Sequence, residues 1–423
     1  MHTVKRLAVA VSATALILGS TTWSSNASTG ARSARTAARS PIVMAELFPV
    51  SGREAFVGQW FVHGAKVAVS DVNGHGGVMG RQLAPVLGDT GGDPVDAVPA
   101  WRQLNTRNPT FEVGPSSLDI EGVIKLYDAA HLIDFMEGGT SQVDHMRYKY
   151  VYRTTPSDTT LTAAMVYYAI QKHYTKAVMF FETTSDATSE LQNVTHFYTA
   201  HGGKILDTEQ IALHQSSYRT EVAKAFATHP DVVFVKTDPQ TGSTLFSDIK
   251  ELGHMNLPFI SDDGGATLDF AKAMGLDSAS KYLVGVAGAP PQGPAWQHYV
   301  NGYQAAWNTN KPVELSQNTY DGVIIAALAM TAAKTTNPAV WINKIISVSN
   351  PPGTKCYFYS QCVPLLNAGK KINYEGATGP EDFNAYHNVF GDWDIAQFDA
   401  TGNTLHTLLH VPATIVSQYI NGK

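Results

Sequence analysis

The chain has 423 residues, of which 44% are hydrophobic and 16% are charged. This length and composition suit two or three domains with sizeable cores, and they exclude an intrinsically disordered chain. The 30 Lys and Arg residues against 36 Asp and Glu residues give a net charge of -6. Because there is no basic surplus to neutralise phosphates, nucleic acid is excluded as the expected partner.

The first residues have the order of a secretory signal peptide. Lys5-Arg6 is followed by an apolar run from Leu7 to Leu18 and then by the small residues Ser25-Asn26-Ala27. This order predicts a signal peptide over residues 1–27 and export with cleavage after Ala27. An uncleaved anchor is the alternative, although the apolar run is shorter than the roughly 20 residues that span a bilayer.

Residues 28–40 are rich in Ser, Ala, Thr and Arg, a composition that cannot form a core and therefore predicts a flexible leader. No cysteine precedes Cys356. The cleavage site thus has no cysteine that could accept a lipid. We expect the exported protein to be extracellular or in the cell envelope and not lipid-anchored.

The stretch after the leader predicts a strand, a helix and a second strand. Ile42 to Leu47 is an apolar run that stops at a loop of small residues, as a buried strand does. From Phe56 to Val72 apolar residues recur at three- and four-residue spacing, which predicts a helix that ends at a glycine-rich turn. Gln82 to Leu87 is the second strand, and Asp93-Pro94 begins another helix. Two strands joined by a crossover helix form a right-handed parallel unit.

Two motifs in this unit look like those of other protein classes. Gly74-His75-Gly76-Gly77 looks like a dinucleotide-binding fingerprint, but that fingerprint follows a strand, whereas this motif follows a helix. Asp89-Thr90-Gly91 looks like the catalytic turn of aspartic proteases, which require a second such turn that the chain lacks. Both motifs are therefore predicted to be structural turns.

The same unit carries the residues by which the chain resembles a known family. These residues are Pro49, Ser51-Gly52, Gly64-Ala65, Ala68-Val69, Asn73, Gly76-Gly77, Gly80-Arg81, Asp89 and Asp93-Pro94. In order and spacing they resemble the type I periplasmic binding proteins, specifically the branched-chain amino acid and amide group of ABC-transporter substrate-binding proteins. The resemblance covers nearly all of the chain from Pro41 to Asp399.

The resemblance implies an α/β fold with two doubly wound parallel-sheet lobes joined by a three-segment hinge. The N-terminal lobe is predicted to comprise residues 41–155 and 289–388, and the C-terminal lobe residues 156–288 and 389–423. The resemblance also implies a receptor without a cofactor that closes on an amino acid or amide and delivers it to an ABC permease. A sensor of the same fold that acts on a signalling partner is the alternative, because both roles use the same cleft.

The later elements continue the α/β pattern and give the positions of the hinge. Tyr150 to Asp158 resembles the first crossing between the lobes, Gly288 to Pro291 the second and Asn388 to Asp392 the third. Lys281 to Ala287 is predicted to be a strand before the second crossing, and Trp393 to Phe398 a strand after the third.

In the N-terminal lobe, two predicted strands at 110–114 and 131–136 each end in a loop of small residues. Ligands of an open parallel sheet bind at such carboxyl ends, where the N–H groups at the start of the next helix favour an anion. The resemblance implies that these two loops hold the carboxylate of the ligand through hydroxyls, N–H groups and one carbonyl. Hydroxyls that only cap helices are the alternative. The residues concerned are Ser116, Ser117, Gly138 and Thr140.

In the C-terminal lobe the match to the family is looser. Ser185 stands where the family often has a tyrosine that covers the ligand, and Asp238 lies in a loop predicted to face the cleft. The resemblance implies that Asp263 receives the ammonium group of an amino acid, because a buried carboxylate needs a partner and a ligand cation supplies one. A role for Asp263 as the cap of a helix near Thr267 to Met274 is the alternative.

The two cysteines and the absence of catalytic motifs complete the sequence prediction. In an exported chain, Cys356 and Cys362 are predicted to form a disulfide that closes a short local loop. His406 and His410 are predicted to lie on a terminal strand, and no metal site is expected. No serine-nucleophile elbow, zinc-protease motif or P-loop occurs in the sequence, so no enzymatic activity is expected.

Overall fold

The computed structural model describes residues 40–289 and 292–420. The predicted signal peptide and residues 28–39 of the predicted leader lie outside these ranges. The strands are β1 (Ile42–Phe48), β2 (Leu83–Asp89), β3 (Phe111–Val113), β4 (Asp134–Met136), β5 (Val151–Arg153), β6 (Lys176–Glu182), β7 (Lys204–Ile211), β8 (Val232–Lys236), β9 (Phe259–Ser261), β10 (Leu283–Gly288), β11 (Thr354–Cys356), β12 (Ile372–Tyr374), β13 (Trp393–Phe398) and β14 (Leu405–Val411).

Helices connect most of these strands. They are α1 (Ala55–Gly74), α2 (Pro94–Asn105), α3 (Ile120–Ala130), α4 (Asp158–Gln171), α5 (Ser185–Ala200), α6 (Arg219–Phe226), α7 (Pro239–Glu251), α8 (Leu268–Met274), α9 (Leu276–Tyr282), α10 (Pro294–Trp307), α11 (Ser316–Ala333), α12 (Pro338–Trp341), α13 (Ile345–Ser349), α14 (Tyr359–Asn367) and α15 (Ala413–Ile420). The alternation of strand and helix is that of an α/β protein, as predicted.

The N-terminal lobe is built on a five-stranded sheet in the order β2-β1-β3-β4-β5, in which all strands are parallel. The opening unit forms as the sequence predicts, since β1 and β2 pair in parallel across α1. The side chain of Asp93 accepts a hydrogen bond from the N–H of Val95 and caps α2. Helix α11 is buried almost along its whole length beside α1 and completes this core.

The C-terminal lobe is built on a seven-stranded sheet in the order β14-β13-β10-β9-β8-β6-β7. Alternate residues of β6 enter different cores, because Met179 and Phe181 pack in one cluster and Val178 and Phe180 in another. The sheet is therefore covered on both faces, as in a doubly wound fold. Its last two strands depart from the predicted parallel arrangement: β13 is antiparallel to β10, and β14 is antiparallel to β13.

Several elements differ from their predicted bounds, and the strand predicted over 131–136 begins only at Asp134. Two further differences lie near the predicted crossings. Val151–Arg153, predicted to belong to the first crossing, pairs with β4 and forms the edge strand of the first sheet. The strand predicted from Lys281 begins at Leu283, because α9 continues to Tyr282. Both differences arise where a short segment is fixed by its neighbours in space and not by its own apolar pattern.

Backbone contacts join the segments that pass between the lobes. The N–H of Arg153 donates to the carbonyl of His387 at 2.9 Å, and the N–H of Ala289 donates to that of Asp392 at 3.1 Å. The guanidinium of Arg153 is buried and donates to the carbonyls of Gly139 and Thr140. These contacts agree with a hinge of three strands. The residue boundaries of the two lobes given above remain a prediction.

The predicted disulfide between Cys356 and Cys362 is confirmed, with a Cα–Cα distance of 5.4 Å. It links β11, which pairs with β12 in a small separate sheet, to α14. Because the loop between the two cysteines is short, the disulfide restricts the unfolded chain only modestly.

No single helix in the described ranges is long and apolar enough to cross a membrane. The length and composition of a membrane span are reached only by a pair of helices, Ser316–Ala333 and Pro338–Ser349, which is bent by 93°.

Candidate functional site

A cavity of about 110 Å³ lies between the two lobes. Its polar wall is built where strands of both sheets end: Ser116 follows β3 and Glu137 follows β4 in the first sheet, while Lys236 ends β8 and Asp262 follows β9 in the second. Ligands of open parallel sheets bind at such carboxyl ends. The volume suits a small molecule, since a cavity needs only roughly 10–15 Å³ of such volume to hold one water molecule.

The cavity is strongly acidic. Among the described residues, nine acidic side chains line it, against the two basic side chains Arg53 and Lys236. The acidic residues are Glu54, Glu137, Asp158, Glu182, Asp186, Glu190, Asp238, Asp262 and Asp263. Carboxylates gathered in a desolvated site repel each other and lose their hydration, so each needs a hydrogen bond, a cation or a proton.

Lys236 is the centre of the C-terminal part of the site. Its ammonium lies 2.8 Å from Asp186 and 2.9 Å from Asp262, and it also contacts Glu190. Burial alone lowers the pKa of Lys236, but the surrounding carboxylates, with Asp186 the strongest, raise it well above the usual value. Lys236 is therefore a permanent internal counter-ion.

Two carboxylates of the same wall have no cation of their own. Asp158 is 8% exposed, and none of the described residues forms a hydrogen bond or ion pair with its carboxylate. Asp263 accepts one hydrogen bond from the N–H of Gly264. Burial, together with the charge of Asp262, raises the pKa of Asp263 to about 7. Burial and then the charge of Asp186 raise the pKa of Asp158 well above its ordinary value.

The N-terminal wall has an acidic group as well. The hydroxyl oxygen of Ser116 lies 2.9 Å from an oxygen of Glu54 and 2.9 Å from an oxygen of Asp119. Its single proton is thus already shared by two carboxyl groups. Burial, followed by the charge of Asp119, raises the pKa of Glu54 to about 8.

The site also has an apolar side. Phe56 and Trp60 of α1 line it and meet edge to face, with ring centroids 5.6 Å apart. Leu315 and Trp393 line it as well, and the indole N–H of Trp393 is satisfied by the hydroxyl of Thr160. A bound molecule therefore meets both carboxylates and hydrocarbon.

Among the residues predicted for the N-terminal lobe, Ser116 and Ser117 line the cavity. Gly138 and Thr140 lie directly behind them. The N–H of Thr140 donates to the hydroxyl oxygen of Ser117 at 3.1 Å. A Cβ atom on Gly138 would stand 2.6 Å from the nitrogen of Ser117, so only glycine permits the two loops to approach so closely.

Among the residues predicted for the C-terminal lobe, Asp238 and Asp263 line the cavity. Asp238 also caps α7 through the N–H groups of Gln240 and Thr241. Asp263 caps the short 3-10 helix Gly264–Ala266, whereas the helix Leu268–Met274, which Asp263 was predicted to cap in the alternative, is capped by Thr267. Ser185 begins α5 and is exposed, while the next residue, Asp186, reaches the cavity.

The comparison with known proteins agrees with the two-lobed fold. A sequence model of the family described as periplasmic binding protein matches residues 41–403. The chain belongs to this family. The resemblance predicted from the opening unit is thereby confirmed, and with it the two-lobed α/β fold.

Relatives in the periplasmic binding protein family are distant in sequence. The chemotactic signal transduction system substrate-binding protein BasB of Halobacterium salinarum is 22% identical over 392 residues, which cover 87% of this chain and 90% of that protein. An amino acid binding protein of Pseudomonas aeruginosa is 25% identical over 263 residues, which cover 61% of this chain and 70% of that protein.

Solved structures of the family share the fold. The branched-chain amino acid transporter substrate binding protein LivJ of Streptococcus pneumoniae, in complex with isoleucine, gives a TM-score of 0.72 at 18% identity, covering 87% of this chain and 99% of that one. An ABC transporter solute binding protein of R. palustris, in complex with benzoate, gives a TM-score of 0.71 at 16% identity. The match covers 88% of this chain and 97% of that one. One fold thus holds chemically different ligands, so the ligand must be inferred from the site.

Sequence reasoning missed the most charged part of this binding protein's cleft. Lys236, Glu190 and Glu54 were not predicted as site residues, and Asp158 was predicted only as part of the first crossing between the lobes. Two signals were present. Lys236 directly ends a fully apolar strand, and Asp186 and Glu190 form a like-charge pair at positions i and i+4 of a helix, which is unfavourable without a cation.

The carboxyl groups with raised pKa values predict that stability falls with rising pH. Burial raises the pKa of Glu54, Glu112 and Glu137 to about 8, well above the unfolded value. The folded state then holds protons that the unfolded state releases. The contribution of these groups is complete below the unfolded pKa and is lost as the pH rises through about 8.

The pKa values of His63 and His387 are lowered, and these two groups make stability rise with pH. They are outnumbered by the carboxyl groups with raised pKa values. We therefore expect the free energy of unfolding, without added ligand, to fall by about 2 kcal/mol or more between about pH 5 and pH 8. Urea denaturation at a series of pH values measures it. A free energy that is constant or rises over this interval would contradict the assignment.

Proposed function

We propose that the protein is an exported solute-binding protein of an ABC transporter, which closes on a small polar ligand between its lobes and delivers it to a membrane permease. The observation that carries the proposal is the cavity at the facing strand ends of the two sheets, in a chain of the periplasmic binding protein family. A signal peptide over residues 1–27 and a mature chain without a lipid complete the proposal.

In this proposal four predicted residues contact the ligand directly, and three support them. Ser116, Ser117, Asp238 and Asp263 line the cavity. Gly138 and Thr140 hold the Ser117 loop in place from behind, and Ser185 begins the helix that carries Asp186 into the wall. Binding without chemical turnover is proposed for all of them.

Contacts across the mouth of the cleft support closure about the hinge. Arg53 of the N-terminal lobe lies 3.8 Å from Glu182 of the C-terminal lobe. The hydroxyls of Ser141 and Ser189, which also belong to opposite lobes, form a hydrogen bond. A ligand that contacts both walls stabilises the form in which these pairs meet.

Closure is tested by small-angle scattering with and without the ligand returned by a thermal-shift screen of amino acids, amides and amines. The radius of gyration is expected to decrease at saturation. In the double variant Ser141→Cys, Ser189→Cys, ligand is expected to accelerate formation of a disulfide across the cleft, because it populates the closed form. An unchanged radius together with a ligand-independent cross-linking rate would contradict closure.

A sensor that reports its ligand to a signalling partner is the second candidate. One observation favours it, namely the likeness to BasB, which is described as part of a chemotactic signal transduction system. Uptake of labelled ligand by cells with and without the gene separates the two roles, because only a transport component changes the rate of uptake.

A further inference from the structure

The charges of the cleft restrict the ligand more than the shared fold does. Of the acidic side chains that line the cavity, Asp186, Glu190 and Asp262 are in contact with Lys236, and Glu182 lies near Arg53. Asp238 pairs with His214, and in the described ranges no basic side chain lies within ion-pair distance of the remaining cleft acids Glu54, Glu137, Asp158 and Asp263. A charge that is buried without a partner is costly.

Among these acidic groups, Asp158 gives the strongest indication of the ligand. It is more than nine-tenths buried, it lines the cavity, and its carboxylate accepts no hydrogen bond from the described part of the chain. Two further buried oxygens in the same wall, Oδ1 of Asp186 and Oε2 of Glu190, also lack a hydrogen-bond partner among the described residues. Several acceptors therefore face one small cavity and have no donor of their own, as in a site whose donors come from the ligand.

The opposite wall disfavours a ligand carboxylate. In this wall the hydroxyl proton of Ser116 is already used by Glu54 and Asp119, so of the two serines only Ser117, whose oxygen accepts from Thr140, keeps a proton to donate. A carboxylate placed here would meet the acidic group of Glu54. A second ammonium group would instead find an acceptor.

The remaining surface suits hydrocarbon. Phe56, Trp60 and Trp393 line the same cavity as the acidic residues of the two lobes. Such rings cover methylene groups, and their faces attract an ammonium group. A hydrated metal ion would gain nothing from these side chains.

We propose that the ligand of this cleft is an aliphatic amine with two or more cationic nitrogens, a diamine or polyamine, and not a neutral zwitterionic amino acid. The proposal rests on the proposed function of solute binding and narrows it to one class of ligand. One ammonium group binds among Asp158 and Asp263 of the C-terminal lobe, and the other binds Glu54 of the N-terminal lobe.

Isothermal calorimetry with three linear probes of similar length tests the proposal on the purified chain. Cadaverine has an ammonium group at each end, pentylamine has only one, and aminovalerate replaces one ammonium group with a carboxylate. We expect saturable binding of cadaverine, binding of pentylamine that is at least tenfold weaker, and no measurable binding of aminovalerate or leucine. Spermidine in the same series tests for a polyamine.

Variants separate a binding role from a structural one. Asp158→Asn and Asp263→Asn are each expected to weaken the binding of cadaverine by about thirtyfold or more. Each variant removes one partner of the buried charge pair that forms with the ligand. Asp158→Asn should at the same time raise the melting temperature of the ligand-free protein, because the neutral amide needs neither a cation nor a proton in this desolvated wall. Asp277→Asn is the matched control, because that side chain is 82% exposed and paired with Lys281 outside the cleft.

Other outcomes overturn the inference in distinguishable ways. If leucine or aminovalerate binds more tightly than cadaverine, the ligand class is wrong and the solute-binding function stands. If calcium chloride alone saturates the site and Asp158→Asn abolishes this binding, Asp158, Asp186 and Glu190, whose carboxylate oxygens lie within 4.8 Å of one another, form a metal site instead. If no amine, amino acid, amide or carboxylate binds, both proposals fail.

Discussion

Lys236→Met is expected to destabilise the protein by about 3–5 kcal/mol, the cost of removing one partner from a buried ion pair. The ammonium of Lys236 is in contact with Asp186, Glu190 and Asp262. Its side chain is only 12% exposed, so water cannot replace it. Methionine fills a similar volume but leaves three carboxylates without a cation.

The free energy of unfolding, measured by urea denaturation at neutral pH, tests this expectation. Lys224→Met is the control, because Lys224 also pairs with two carboxylates, Asp207 and Glu209, but its side chain is 63% exposed. It should have little effect, since solvent screens such pairs. Adding Glu190→Gln to Lys236→Met should restore part of the lost stability. A loss for Lys236→Met as small as that for Lys224→Met would disprove the role of Lys236 as counter-ion.

The elements predicted well are those whose pattern is local. The period of α1 and the apolar run of β1 appear in the sequence itself, and the turn between α1 and β2 contains glycines that end a helix. Elements fixed by distant partners were less predictable. Strand β5 has only three residues and is defined by β4, and the antiparallel direction of β13 depends on where the third crossing enters the second sheet.

The site, like the fold, has a part that could be predicted from the sequence and a part that could not. Ser116, Ser117, Asp238 and Asp263 were predicted from the resemblance to the family, together with the strand ends that they follow, and both are visible in a sequence. The charge balance was not predictable, because it depends on which acids share Lys236 and which do not. That distribution exists only after β8, β9 and α5 are packed together. The ligand class is therefore inferred from the structure and not from the strand ends alone.

Asp321→Ala is expected to have the second large effect, about 3 kcal/mol or more of lost stability. Asp321 is fully buried in α11 and accepts hydrogen bonds from the hydroxyl of Tyr374 at 2.6 Å, the N–H of Ala377 at 3.0 Å and the N–H of Thr378 at 2.8 Å. Alanine leaves these donors buried and unsatisfied, and each such group costs roughly 1–3 kcal/mol. Urea denaturation measures the total loss.

Hydrogen exchange shows whether the loss has this cause. In Asp321→Ala the amides of Ala377 and Thr378 should exchange faster than in the parent, because the acceptor for both has been removed. Asp321→Asn is the matched control, since it keeps one carbonyl acceptor and most of the volume and should lose less stability. Burial raises the pKa of Asp321 to about 6 despite these hydrogen bonds. Above about pH 6 the substitution therefore replaces an ionised carboxylate. Unchanged exchange at both amides, together with a loss below about 1 kcal/mol, would mean that other contacts hold this segment against α11.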